Sequence, residues 1–219
     1  MEKELRLIDE SKIRAHYEEA LINGNDSGQQ VGWRNSHAQL TRFEVLTKLL
    51  SGLEINAVSD FGCGNGDLLR FLREKSWGGI YFGTDLSKKM ISNAQKLALS
   101  DKQASFMVSN VPARGGVVVA SGLFNVSLSE STANWEKYCK EKIMQMWDAA
   151  ELAIAFNMLS TDSDQEKQKR GLAYGDPSFW MEFVRAGCSP CIRIDQSYGQ
   201  FDFSVAAFKV QPKSNCYKV

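Results

Sequence analysis

Neither sign of charge prevails in this chain: 26 lysines and arginines stand against 26 aspartates and glutamates. A protein whose chief partner is a phosphate backbone normally shows a cationic excess, so this balance argues against nucleic acid. Long apolar runs are also missing, which leaves no segment of membrane-spanning length and predicts no membrane partner. The opening "MEKELRLIDESK" is too charged to read as a secretory signal. The cysteines Cys63, Cys139, Cys188, Cys191 and Cys216 are odd in number. Without an export signal they read as reduced thiols, and the expected location is cytoplasmic. Cys188 and Cys191 have the spacing of a metal or redox pair, but no second pair and no histidine lies near them in sequence. Four ligands are therefore not assembled, and no metal is expected. Repeats, low-complexity tracts and linkers are absent as well. That leaves one domain over residues 1–219, long enough for a real core.

What is present is a change of rhythm. Up to residue 52 the pattern is helical: "ESKIRAHYEEALI", a polar break "NGNDSGQQ", then "SHAQLTRFEVLTKLLSGL". In the latter, Leu40, Phe43, Leu46, Leu49 and Leu50 recur at helical spacing before Gly52. From residue 53 short apolar runs alternate with helical patterns. "NAVSDF", "GIYFGTD", "SFMVSN", "GVVVA" and "LAIAFNML" read as parallel strands with helices between them. "CIRIDQSY" and "FSVAAFKV" are separated by too little chain for a parallel crossover, so they predict an antiparallel hairpin. The expected fold is α/β: a seven-stranded, mostly parallel sheet with helices on both faces. An antiparallel C-terminal hairpin closes it, and residues 1–52 form a helical cap or lid over a core of 53–219. "STDSDQEKQKRGLAYGDP" is the one long polar loop, either mobile or functional, and its "EKQKR" run reads as a solvated face. A helix from Pro177 should follow it.

The first strand runs into Asp60-Phe61-Gly62-Cys63-Gly64-Asn65-Gly66 and then a helix. A strand, a glycine turn and a helix start bring backbone N–H groups and a helix dipole to face a ligand. In the dinucleotide fingerprint the third glycine falls one residue later, where this chain has Asp67. A carboxylate there would face two phosphates, an encounter of like charges. Nineteen residues after Gly66 a strand ends on Asp85, placed to accept ribose hydroxyls.

Asp60-x-Gly62-x-Gly64-x-Gly66 followed by Asp85 resembles motif I and the acidic second-strand end of the class I, Rossmann-like S-adenosylmethionine-dependent methyltransferases. The resemblance spans about residues 30 to 210. It implies that Asp60 and the loop Gly62, Cys63, Gly64 and Gly66 hold the methionine end of S-adenosylmethionine. Asp85 would hold the ribose, Leu86 would pack beside the adenine, and Asn110 would meet the adenine amine through its carbonyl. Ser121 would stand near the sulfonium at the end of the fourth strand. There "SGLFNV" departs from the Asn/Asp-Pro-Pro-Tyr signature of enzymes that methylate amines in nucleic acid, which turns the expectation toward a small-molecule acceptor. The segment "VGWRNSHAQLTRFEVL" is similar to one in a subgroup of small methyltransferases and adds Trp33, Gln39 and Arg42 to the cofactor site. Arg42 is suited to take the methionine carboxylate bidentately.

A general base is harder to name. His16 and His37 are the only histidines, both in the cap. Tyr17, Asp195 and Tyr198 are further catalytic candidates, while Trp33, Tyr17 and Phe124 are candidates to line an apolar acceptor pocket. The expected function is transfer of a methyl group to an oxygen or nitrogen of a small metabolite. A non-catalytic S-adenosylmethionine-binding protein and a nicotinamide-dependent oxidoreductase are the alternatives.

Overall fold

The computed structural model describes residues 7–213, so Cys216 and the start of the charged opening lie outside the described residues. Alternating and continuous apolar runs build one sheet, among the described residues, from β1 (Ala57–Phe61), β2 (Ile80–Asp85), β3 (Ala104–Val108), β4 (Gly115–Ala120), β5 (Ala150–Ser160), β6 (Tyr174–Gly175), β7 (Ile192–Asp195) and β8 (Asp202–Phe208). Its order is β3-β2-β1-β4-β5-β8-β7. The first five pair in parallel, whereas β8 runs antiparallel to both β5 and β7. The seven expected strands and the C-terminal hairpin are all present. The addition is β6, which pairs with the end of β5 and, at two residues, is too short to show a period.

Among the described residues seven α-helices accompany the sheet: α1 (Glu10–Asn23), α2 (Ser27–Gln30), α3 (Ser36–Leu49), α4 (Asp67–Glu74), α5 (Lys88–Leu97), α6 (Thr132–Ala149) and α7 (Pro177–Gly187). Alternate strand residues face opposite layers. Val118, Ile154 and Phe156 pack with Ile143 and Met146 of α6 and Val184 of α7. Val117, Val119, Ala153 and Ala155 pack with Leu46 of α3 and Leu68 of α4. Cys188 borders the first layer and Cys191 the second, so the two thiols sit against opposite faces of the sheet. α3, expected as part of a cap, is thus one of the sheet's covering helices, although its Gln39 and Arg42 also border the site, beside α1 and the segment from Val31 to Arg34.

Two details of the N-terminal reading change. The polar break contains α2, started by Asp26, whose carboxylate accepts from the Gln29 amide at 2.9 Å. On α3, Leu40 is 39% exposed, while Gln39 and Arg42 are buried. The buried polar pair is tolerated because each side chain meets a buried carboxylate, as described below. No helix among the described residues is long and apolar enough to cross a membrane.

Candidate active site

The strand order reverses between β1 and β4, which leaves a crevice at the carboxyl ends of the parallel strands. A cavity of about 390 Å³ opens there. The glycine turn forms one wall, α1 and the Trp33 segment another, and the chain after β4 and β5 the far end.

The turn is held mainly by β2. The Gly62 and Cys63 amides both donate to the Thr84 carbonyl, at 2.8 and 3.0 Å. Asp85 braces it further: one carboxylate oxygen accepts the Gly64 amide at 3.0 Å and the other the Ser87 amide at 2.8 Å. Burial pushes the Asp85 carboxyl above its ordinary value, and these two amides pull it back. Asp60 lies buried on the cavity wall, where the Tyr81 hydroxyl donates to it. Its carboxyl is pushed up to about 7, chiefly by burial; the Tyr81 bond opposes this, and the charges of Asp85 and Asp67 add to it.

The cap seats on glycines. Gly64 has φ +52°, and a Cβ built there would stand 2.8 Å from Val31 Cγ1. Gly122, just past β4, has φ +83°, and its Cβ would stand 2.5 Å from Trp33 Cζ2. Trp33 in turn lies under the Arg42 guanidinium, 4.1 Å from ring centre to Cζ. Gly66 is not on the cavity wall; it precedes α4 and faces Phe106.

Trp33, Gln39, Arg42, Asp60, Gly62, Cys63, Gly64, Asp85, Leu86, Asn110 and Ser121 all border the cavity. Three of them have partners that the sequence does not disclose. Arg42, expected to be free for a ligand carboxylate, donates from Nε to Asp202 at 2.6 Å and from Nη1 to the Ala38 carbonyl at 2.6 Å. Gln39 donates to Asp67 at 3.2 Å. The Asn110 carbonyl accepts the Lys142 ammonium at 2.7 Å, and its side-chain amide donates to Glu10 at 3.3 Å. Ser121 Oγ is buried with no partner among the described residues.

Of the catalytic candidates only Tyr17 borders the cavity. Its hydroxyl donates to the Gly122 carbonyl at 3.3 Å, and burial, then the Asp85 charge, hold it well above the ordinary phenol range. His16 packs its ring on Tyr17, and His37 is exposed on α3. Asp195 accepts from Ser197 and faces Lys48, while Tyr198 pairs its hydroxyl with Ser204. These four do not converge on the cavity. Phe124 is buried in the core against Phe156.

Sequence reasoning missed two groups of residues. Lys142 is buried, ion-paired to Glu10 at 2.9 Å, and borders the cavity. A lysine one turn from Cys139 on the apolar face of α6 was the available signal. Lys167 and Lys169, from the run read as a solvated face, are exposed but stand on the cavity's far edge.

A family model described as a methyltransferase domain matches residues 58–146. The chain is similar to Rv1506c of Mycobacterium tuberculosis, provisionally named a methyltransferase. The two are 25% identical over 163 residues, 74% of this chain and 98% of that protein. Among solved structures it is similar to magnesium protoporphyrin IX methyltransferase from Synechocystis with bound S-adenosylhomocysteine (SAH). There the TM-score is 0.64 at 14% identity, over 92% of this chain and 100% of that one. It is also similar to the plantazolicin methyltransferase BamL in complex with a triazolic desmethyl analogue and SAH. That likeness has a TM-score of 0.55 at 14% identity, over 92% and 91% of the two chains. At such identities the structural likeness concerns the fold.

Proposed function

We propose that this chain is a class I S-adenosylmethionine-dependent methyltransferase that moves a methyl group to an oxygen or nitrogen of a small molecule, a reading supported by the methyltransferase-domain match and the fold. The observation that carries the reading is the Asp85-braced turn. A carboxylate at the end of β2 and a second one, Asp60, under the turn flank the glycines, and Asp67 replaces the glycine a diphosphate would need. That donor set fits a nucleoside with a cationic amino-acid tail better than a dinucleotide.

Asp85 keeps unused lone pairs for two ribose hydroxyls. Leu86 would lie beside the adenine. Asp60 is suited to an ammonium, while Gly62, Cys63 and Gly64 would hold the tail through their backbone, with Gln39, Arg42 and Trp33 closing that side and Asn110 at the adenine end. When bound, S-adenosylmethionine supplies a methyl group on a sulfonium, a leaving group that needs no protonation. The protein's contribution is then alignment and exclusion of water, which Trp33 and α1 perform by covering the cavity. The cavity volume of about 390 Å³, which donor and acceptor must share, supports a small acceptor.

Calorimetry with SAH and with NADH tests the cofactor half. SAH should bind and NADH should not; tight NADH binding alone would replace this reading with an oxidoreductase. SAH binding without transfer to any acceptor would mark a non-catalytic binding protein.

A further inference from the structure

We infer that the acceptor presents a carboxylate to the methyl group, so that the product is a methyl ester and no general base takes part. The inference rests on the methyltransferase reading above and names the acceptor class for the same cavity.

The first support is where the bases stand. The cavity's carboxylates are Glu10, Asp60 and Asp85, on α1, β1 and β2, at the end assigned to the methyl donor. Glu10 is ion-paired to Lys142, Asp60 takes the Tyr81 hydroxyl, and Asp85 holds two backbone amides. The far end is built from the segments after β4 and β5 and the turn between β7 and β8. Those segments bring no histidine, aspartate or glutamate to the wall among the described residues.

The second support is what the far end does supply. Asn125 is only 6% exposed, and its carbonyl oxygen accepts the Leu159 amide at 3.2 Å. Its side-chain nitrogen makes no hydrogen bond to a described residue and, since Asn125 borders the cavity, serves as a donor there. Lys167 and Lys169 stand at the rim. Lys167 is shared with Asp164 at 2.5 Å, while Lys169 is in no ion pair among the described residues. Leu123, Leu172 and Phe201 add apolar wall. A chamber of donors and cations with apolar sides and no carboxylate suits an anionic oxygen group on an apolar body.

The chemistry closes the argument. An alcohol or ammonium acceptor must lose a proton to react, whereas a carboxylic acid is already ionised at neutral pH. A lone pair of the carboxylate oxygen forms the new C–O bond to the methyl carbon as the C–S bond breaks. The C–S electron pair goes to sulfur, leaving a neutral thioether and a neutral ester. No proton is taken up or released.

The test gives the full chain tritium-labelled S-adenosylmethionine and a panel of benzoate, salicylate, cinnamate, indole-3-acetate and octanoate, beside benzyl alcohol, phenol and benzylamine. Transfer to at least one carboxylate is expected, seen as tritium that alkali releases as volatile methanol. Its rate at saturating donor should be flat from about pH 6 to 9. Calorimetry should show that carboxylate binding to the SAH-loaded protein and weakening with salt. In the variant carrying Lys167→Gln and Lys169→Gln, KM for it should rise roughly threefold to tenfold, as for one or two exposed ion pairs, with SAH affinity retained. Transfer confined to the alcohol, phenol or amine, or no binding of any carboxylate to the SAH-loaded protein, overturns the inference. Failure to bind SAH in the first place is a different result and sinks the methyltransferase reading instead.

Discussion

Arg42 on α3 and Asp202 on β8 meet at 2.6 Å, with side-chain exposures of 5% and 0%. The pair is the centre of a longer connection. Asn157 on β5 donates to the same Asp202 oxygen at 2.9 Å, and its own carbonyl oxygen takes the Gly122 amide at 2.9 Å. The end of β4, where the cavity floor lies, is therefore tied through two strands to the helix that carries Arg42.

Removing one partner would leave the other buried and uncompensated. Arg42→Leu or Asp202→Leu alone is expected to cost about 3–5 kcal/mol of folding stability. Because the two charges share one interaction, the double substitution should cost less than the sum of the singles. Urea unfolding of the four proteins measures this. Strict additivity would mean that the pair is not coupled.

Asp85→Ala should weaken SAH binding by about 1.5–3 kcal/mol, roughly 10- to 150-fold, through loss of charge-assisted bonds to ribose. Part of that loss would come from the Gly64 amide, which loses the acceptor it now has. Asp85→Asn retains an oxygen acceptor and should fall between Ala and the parent. Isothermal calorimetry on folded variants decides it, and an unchanged dissociation constant for the alanine variant would show that the ribose lies elsewhere.

The sheet was readable in the sequence because its strands are either alternating or continuous apolar runs and its helices keep a 3.6 period. The turn from Asp60 to Gly66 was readable because its function is local: strand, glycines and helix start are contiguous. Partners were not. Asp202 lies 160 residues from Arg42 and Asp67 lies 28 from Gln39, and no pattern along the chain couples them. This is why helical spacing alone turns Leu40 inward and leaves Arg42 without its protein partner. Lys142 goes undetected for the same reason: its counter-ion, Glu10, belongs to α1, far away in the sequence.

The elevated Asp60 carboxyl, about 7, makes the site pH-dependent. If the ionised form meets the methyl donor's ammonium, affinity should rise as pH increases through about 7, and Asp60→Asn should flatten that rise. Folding stability moves the opposite way. Between the ordinary value of 3.8 and about 7 the folded chain keeps a proton that the unfolded chain has released. This group's contribution to stability therefore falls as pH rises across that window. Calorimetry of SAH binding at several pH values, beside urea unfolding at the same values, separates the two. A parent and an Asp60→Asn variant with parallel binding profiles would exclude Asp60 as the ammonium's partner.

Gly122→Ala should unseat the cap while leaving the sheet intact. An added methyl would stand 2.5 Å from the Trp33 ring, closer than real contacts allow, and φ +83° strains any L side chain by about 1–2 kcal/mol. The ring has little room to yield, because the Arg42 guanidinium lies against it at 4.1 Å and is itself fixed by Asp202. The displaced element is thus the Trp33 segment between α2 and α3, which forms one wall of the cavity. Tryptophan fluorescence should shift toward that of a solvated indole. Transfer should fall more steeply than SAH affinity, since water then reaches the space where the acceptor must align. Trp33→Ala in the Gly122→Ala background removes the collision and restores no cover. If its fluorescence-independent readouts, SAH affinity and turnover, returned to the parent's, the steric clash alone would be responsible and the cover over the cavity would have no part in catalysis.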